Sequence, residues 1–260
     1  MPRSRAARIA TAATLASALA VIAAGCGSSG SSSGSATGSP AGGAKPVVLA
    51  AASLTKVFPE IEPAARYSFG GSGALQTQIE SGAPADVFAA ASPKQPDALY
   101  AKGLVRRPVE FATNRLVLVV PTSNPAHIAS VADITRPGVK LVICNATVPC
   151  GDYARKAFAN LGMTAAAMRN VASETTDVTQ VLADVSLGQA DAGFVYITDA
   201  RGAAGKVKVI ELPAGARPNT KDYIAVVTAS QNRAGAEAFV RRVLSGEGRA
   251  KLEADGFGGP

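Results

Sequence analysis

The 260 residues contain no tryptophan and a single histidine, and aromatic side chains make up only 5% of the chain. A surface that stacks nucleobases needs a row of aromatic rings, so these residues do not provide one. With His127 as the only imidazole, a Cys/His zinc site has too few ligands, and a Ser–His or Cys–His nucleophilic pair could run only through that residue. From Pro46 onward there is no G-x-S-x-G elbow between strand and helix. Cysteine is scarce too: Cys26, Cys144 and Cys150. The formal charge of +7 includes three arginines among the first eight residues. Beyond them 23 basic side chains face 19 acidic ones, a dispersed excess too small to argue for nucleic acid.

The amino-terminal residues decide the expected compartment. MPRSRAAR is basic and lacks acids, and IATAATLASALAVIAA is an uncharged run of mostly small apolar residues. This is the layout of a secretory signal, and the run is short for a permanent membrane span. It ends in Ala23-Ala24-Gly25-Cys26, which resembles the bacterial lipoprotein cleavage box. That resemblance implies a signal peptide over 1–25, lipidation of Cys26 and anchoring to the outer face of the cell membrane. The alternative is plain secretion with Cys26 as a free thiol. GSSGSSSGSATGSPAGGAK follows, a Gly/Ser-rich tether over 26–45 that cannot bury apolar surface. In an exported protein the close pair Cys144 and Cys150, in ICNATVPCG, is expected to form a disulfide.

From residue 46 to 260, short β-type runs alternate with longer helical ones. VVLAA, ARYSF, ADVFAAA, RLVLVVP, VKLVICN, AGFVY, KVKVIEL and DYIAVVT read as strands. SLTKVF, SGALQTQIESG, SPKQPDALYAKG, CGDYARKAFANLG, TTDVTQVLADVSLG, QNRAGAEAFVRRVLSG and GRAKLEADGF read as helices. Ser53 is expected as an N-cap, and Pro59 and Pro63 as the reason its helix is short or broken. The alternation implies an α/β fold with largely parallel sheets covered by helices, and ligands at the C-terminal strand ends. There, several strands lead through Ser or Gly into a helix start: Ser53 after VVLAAA, Ser72 after YSFGG, Cys150-Gly151 after LVIC. Helix N-termini carry unpaired N–H groups and a positive dipole end, so several of them gathered together make an anion site without charged side chains. One such serine alone is a plain cap; only convergence makes a site.

AAASLTKVF, FGGSGALQTQIESGAPADVFAAAS, VPCGDYARKAF and AGFVYITDA, in that order, resemble the periplasmic molybdate-binding proteins of ABC importers. The resemblance implies a two-lobed, type II periplasmic-binding-protein-like α/β fold. Each lobe is a mixed, mostly parallel sheet flanked by helices, with the ligand in the cleft between lobes: 46–121 plus 224–260 in lobe one, 122–223 in lobe two. It implies oxyanion ligands Ser53 and Ser72 through hydroxyl and N–H, Cys150 and Val178 through backbone N–H, and Tyr196 through its hydroxyl. It implies no catalytic residues, no cofactor and no direct cation ligands, since molybdenum would bind as an oxyanion. The implied function is capture of molybdate, and also tungstate, for delivery to an ABC permease by a monomer that binds no nucleic acid. Another oxyanion such as sulfate, or an anchored hydrolase, is the alternative. The chain departs from familiar members in being shorter between Ser53 and Ser72, by roughly two helical turns plus a few residues. It also reads GGSG where they are richer in serine.

Tyr196 could equally be core, and the Val178 side chain is helix-face core. Asp86 reads as a strand-end carboxylate, His127 as a solvated loop residue and Asn145 as a turn former. Arg66, Arg106, Arg107 and Arg115 read as solvated surface that could steer an anion.

Overall fold

Buried runs of Val, Leu, Ile and Ala supply the strands of the computed structural model, which describes residues 45–260. The expected signal peptide, Cys26 and nearly all of the tether lie outside the described residues. In chain order the elements are β1 (Val47–Ala51), α1 (Val57–Ile61), β2 (Arg66–Gly70), α2 (Ser72–Glu80), β3 (Val87–Ala90), α3 (Lys94–Ala101), β4 (Val109–Asn114), β5 (Leu116–Pro121), β6 (Leu141–Cys144) and α4 (Pro149–Asn160). They continue with α5 (Thr164–Arg169), β7 (Val171–Thr175), α6 (Val178–Ser186), β8 (Ala192–Tyr196), α7 (Ile197–Gly202), β9 (Val207–Glu211), β10 (Thr220–Val226), α8 (Arg233–Leu244) and α9 (Gly246–Asp255).

The strands form two five-stranded sheets with one shared pattern, β2-β1-β3-β10-β4 and β7-β6-β8-β5-β9. In the first, β1 runs parallel to β2 and β3, while β10 is antiparallel to β3 and β4. In the second, β6 runs parallel to β7 and β8, while β5 is antiparallel to β8 and β9. The expected two-lobed α/β architecture is present. Its sheets are mixed and mostly parallel, as expected: in each, four strands run one way and the strand entering from the other lobe, β10 or β5, runs against them.

The chain crosses between lobes twice, once through Arg115 between β4 and β5, and once between Glu211 and Thr220. The expected boundaries at 121/122 and 223/224 therefore differ from the sheets. Within RLVLVVP, Leu116–Pro121 is buried on every residue, as expected, but it lies inside the second sheet, between β8 and β9, and β10 already belongs to the first at Thr220. A long apolar run shows that a strand is buried without showing in which sheet. The crossings are tied together where the Thr220 hydroxyl donates to the Asn114 carbonyl and the Asn114 amide donates to the Thr198 hydroxyl (3.1 Å).

Each lobe has its own aromatic packing. Phe58, Tyr67, Phe111 and Phe239 meet in the first, with Phe58 and Phe239 edge to face at 5.4 Å, and Phe158 meets Phe194 at 5.3 Å in the second. Both lobes are thereby firm bodies on which loop geometry can be held. β4, α5 and β7 escape the sequence reading. Val171–Thr175 shows why: it is an edge strand exposed at three central positions, so it carries no buried alternation.

Candidate functional site

Strands β1, β2 and β3 end at the cleft face of lobe one, and β6, β7 and β8 end at the facing edge of lobe two. The turns that follow them line a single small cavity: Ala51–Ser53, Gly70–Ser72 and Ala91 on one side, Val148–Cys150, Asp177–Val178 and Tyr196 on the other. It encloses about 10 Å³, room for about one water. All five residues expected at the site, Ser53, Ser72, Cys150, Val178 and Tyr196, line it.

Ser53 departs from its expected role as a cap. Pro59 lacks an N–H and is tolerated only in a first turn, so α1 starts as late as Val57. Ser53 instead sits inside a 3-10 turn, Ala52–Leu54, whose N-cap is Ala51. Its hydroxyl is buried and has no hydrogen-bond partner. The Tyr196 hydroxyl, on a residue 2% exposed, is likewise buried and unpartnered. Buried hydroxyls are seldom left so, because the orphan group forfeits its hydration without replacement. Here two of them line one cavity, one from each lobe, each with its proton free to donate to a ligand. Burial, followed by nearby Tyr153 and Asp222, pushes the Tyr196 phenol well above its ordinary range, which keeps it an O–H donor. The start of α7 fixes that turn, where the Asp199 carboxyl accepts the Tyr196 N–H at 2.9 Å.

Ser72 is the first residue of α2, after an N-cap at Gly71. Its Oγ accepts the Ala91 N–H at 3.3 Å, which leaves its own proton to donate into the cavity. In α4 the first position is Pro149, which has no N–H, while Gly151 and Asp152 both donate to the Val148 carbonyl. Cys150 therefore presents the donor at that helix tip. Val178 opens α6 behind Asp177, and its side chain is core, as expected. The Asp177 carboxylate is turned onto its own helix, accepting from the Thr179 hydroxyl (2.6 Å) and the Gln180 N–H (3.2 Å). None of the lining residues is Lys, Arg or His. What remains is a set of neutral O–H and N–H donors at the positive ends of α2, α4 and α6, suited to a group that offers acceptors only.

Cys144 and Cys150 are joined, Cα to Cα 5.7 Å, so the end of β6 is stapled to the start of α4. The approach is tight: a Cβ on Gly151 would lie 1.9 Å from the Asn145 carbonyl oxygen. Asn145 shapes this turn as expected, accepting from the Thr147 N–H at 3.0 Å and donating from its own N–H to Thr175 at 2.8 Å. Replacing both cysteines by alanine is expected to cost about 2–3 kcal/mol of unfolding free energy, measured by denaturant titration, as for a small closed loop.

The remaining candidates take their bland readings. Asp86 accepts the Val47 N–H (2.7 Å) and the Ser230 hydroxyl (2.6 Å), a brace between strand ends. His127, Arg66, Arg106 and Arg107 are exposed, and Arg115 pairs with Glu211 at 3.2 Å. Two roomier cavities differ in chemistry. One of about 600 Å³ lies at the opposite strand ends of lobe one, beside Val47, Arg66 and Asp86. One of about 370 Å³ lies beside α6 and α7. Both carry basic side chains that the small cavity lacks, Lys45 and Arg66 in the first, Lys56 and Lys206 in the second. Sequence reasoning missed two carboxyls beside Tyr196, half-buried Asp199 and buried Asp222. Asp199 is raised to about 7, chiefly by burial, and Asp222 is 1% exposed with neither oxygen partnered. DYIAVVT reads simply as a strand, and nothing in it signals a buried acid.

Residues 44–258 match the profile of the bacterial extracellular solute-binding proteins. The chain belongs to that family. Among curated relatives of this solute-binding protein, the molybdate-binding protein ModA of Mycobacterium tuberculosis is 40% identical over 236 residues, covering 85% of this chain and 89% of that one. ModA of Escherichia coli is 31% identical over 75% of this chain and 81% of its own. Among solved structures, the periplasmic molybdate-binding protein of Azotobacter vinelandii superposes with a TM-score of 0.74 at 23% identity, covering 83% of this chain and all of that one. The sulfate-binding protein SubI of Mycobacterium tuberculosis superposes with 0.69 at 18% identity, covering 82% of this chain and 86% of its own. At such identities the superpositions speak for the fold of a solute-binding protein and leave the solute open.

Proposed function

We propose that this protein captures molybdate, and tungstate with it, outside the cytoplasm and hands it to an ABC permease. It does so as a monomer held to the cell membrane through lipidated Cys26 and the Gly/Ser-rich tether. Ser53, Ser72 and Tyr196 donate hydroxyl protons, and Cys150 and Val178 donate backbone N–H groups. Lobe one runs from residue 46 to the crossing at Arg115 and again from Thr220, with lobe two between. The reading rests most on one observation, the pair of buried, unpartnered hydroxyls of Ser53 and Tyr196 on a cavity lined by no basic side chain. The names of its mycobacterial and enterobacterial relatives support the choice of solute.

A tetrahedral dianion presents acceptors only, and each neutral donor turned toward it makes a charge-assisted hydrogen bond in a site shielded from water. A protonated anion would need an acceptor, and the one lining carboxylate, Asp177, is occupied by its own helix. The lobes part to admit the ion and close around it. Sulfate is the second reading, favoured by the small cavity and offering the same acceptors. Calorimetric titration of the mature protein with molybdate, tungstate, sulfate and phosphate separates the two. Molybdate and tungstate are expected to bind tightly, with sulfate weak and phosphate silent. Preference for sulfate overturns the molybdate reading.

A further inference from the structure

The start of α2 carries two glycines that its own conformation does not require. Gly71 has φ −63° as the N-cap, and Gly73 lies within the helix; neither is in the left-handed region. Helix propensity alone favours alanine over glycine at position 73. What both glycines meet is the other lobe. A Cβ on Gly73 would lie 2.4 Å from the Thr147 carbonyl oxygen, and one on Gly71 would lie 2.3 Å from the Thr176 carbonyl oxygen. These are backbone atoms, so no rotamer change relieves the overlap. Thr147 is also pinned, its N–H and hydroxyl both donating to the Asn145 side chain (3.0 and 2.5 Å). Beside this contact the buried Gln95 of lobe one donates from Nε2 to the same Thr147 carbonyl at 3.4 Å.

Thr147 belongs to the loop that delivers Cys150, and Thr176 to the one that delivers Val178. The distance at which α2 stops against these loops is therefore the distance between the donors of lobe one and those of lobe two. We propose that Gly71 and Gly73 are the specificity-determining positioning residues of the site: by letting α2 rest on the lobe-two backbone they set how far the lobes close, and so the size of ion the cavity holds. The inference rests on the oxyanion-binding reading. A methyl group at either position holds the lobes apart by about 1 Å before its contacts become ordinary.

The test is Gly73→Ala, with Gly71→Ala as a second variant and Ala74→Ser, at an exposed position of the same helix, as a control. The variants are titrated with molybdate, tungstate and sulfate by calorimetry and melted without ligand. Gly73→Ala is expected to melt at or above the native temperature yet bind molybdate at least about tenfold more weakly, since about 1 Å of separation stretches charge-assisted bonds beyond their working length. Sulfate, the smallest ion, should lose the most, and Ala74→Ser should match the native protein. A merely structural glycine would lower melting and affinity together. Native molybdate affinity in a folded Gly73→Ala or Gly71→Ala protein overturns the inference and leaves the oxyanion reading standing. A native protein that binds none of the ions removes that reading and the inference with it.

Discussion

Ser53→Ala is expected to weaken molybdate binding by about 1–3 kcal/mol, roughly 5- to 150-fold, while the unliganded protein becomes no less stable. The opposed effects follow from the same atom. In the unliganded fold the Ser53 hydroxyl is buried without a partner, so deleting it removes a desolvation cost and breaks no bond. In the liganded fold it is a donor to a dianion, and deleting it leaves one oxygen unmet. Tyr196→Phe should behave alike, because its hydroxyl is equally unpartnered. Ser72→Ala should lose affinity by a similar amount but also some stability, since its oxygen accepts the Ala91 N–H. Calorimetry with scanning fluorimetry on the same samples reads both quantities. Parallel losses of stability and affinity in Ser53→Ala would mean that the hydroxyl serves the fold rather than a ligand.

Stability is expected to fall as pH rises from about 4 toward neutrality, the reverse of a protein held by paired carboxylates. Asp199 is raised to about 7, by burial first, against the hydrogen bond from the Tyr196 N–H. Asp222 is raised well above the ordinary carboxylate range, again by burial first and then by Asp199 and Glu110. Tyr196 faces both carboxyls and Tyr153 faces Asp222, and each phenol is raised by burial, so neither ring supplies a counter-charge. In the window between the unfolded and folded values the native state holds protons that the unfolded chain has released, so each pH step favours unfolding. The contribution is whole below about pH 4, and for Asp199 it is gone by about pH 7. Asp222 carries the decline further. Asp222→Asn, uncharged throughout, should flatten the slope and exceed the native protein in stability at pH 8. Denaturant titrations at stepped pH decide it, and a native protein that gains stability across this window contradicts the assignment.

The difference between what is and is not legible in the chain is physical. Strands such as Leu116–Pro121 and helices such as Val178–Ser186 announce themselves because burial imposes a period. Partner choice does not: β5 crosses into lobe two for reasons that lie in its neighbours. The donors are legible as residue types at helix starts, and the family resemblance implies five residues that the fold brings to one cavity. Their meeting was not legible, since it depends on how two sheets face each other across Arg115 and the 211–220 segment. Ser53 was misjudged as a cap because the consequence of Pro59 for the helix start outweighs the local preference of serine. Asp222 and the glycine contacts of α2 were invisible, because each is defined by atoms far away in sequence.

The most direct measurement is a crystal structure of the mature protein grown with molybdate, with the metal located by its anomalous scattering. The account predicts a single peak between the lobes, its oxygens about 2.6–3.1 Å from Ser53 Oγ, Ser72 Oγ, Tyr196 Oη and the N–H groups of Cys150 and Val178, with no basic side chain in contact. A peak bound by lysine or arginine elsewhere, or occupied density in the cleft with these hydroxyls turned away, would contradict it.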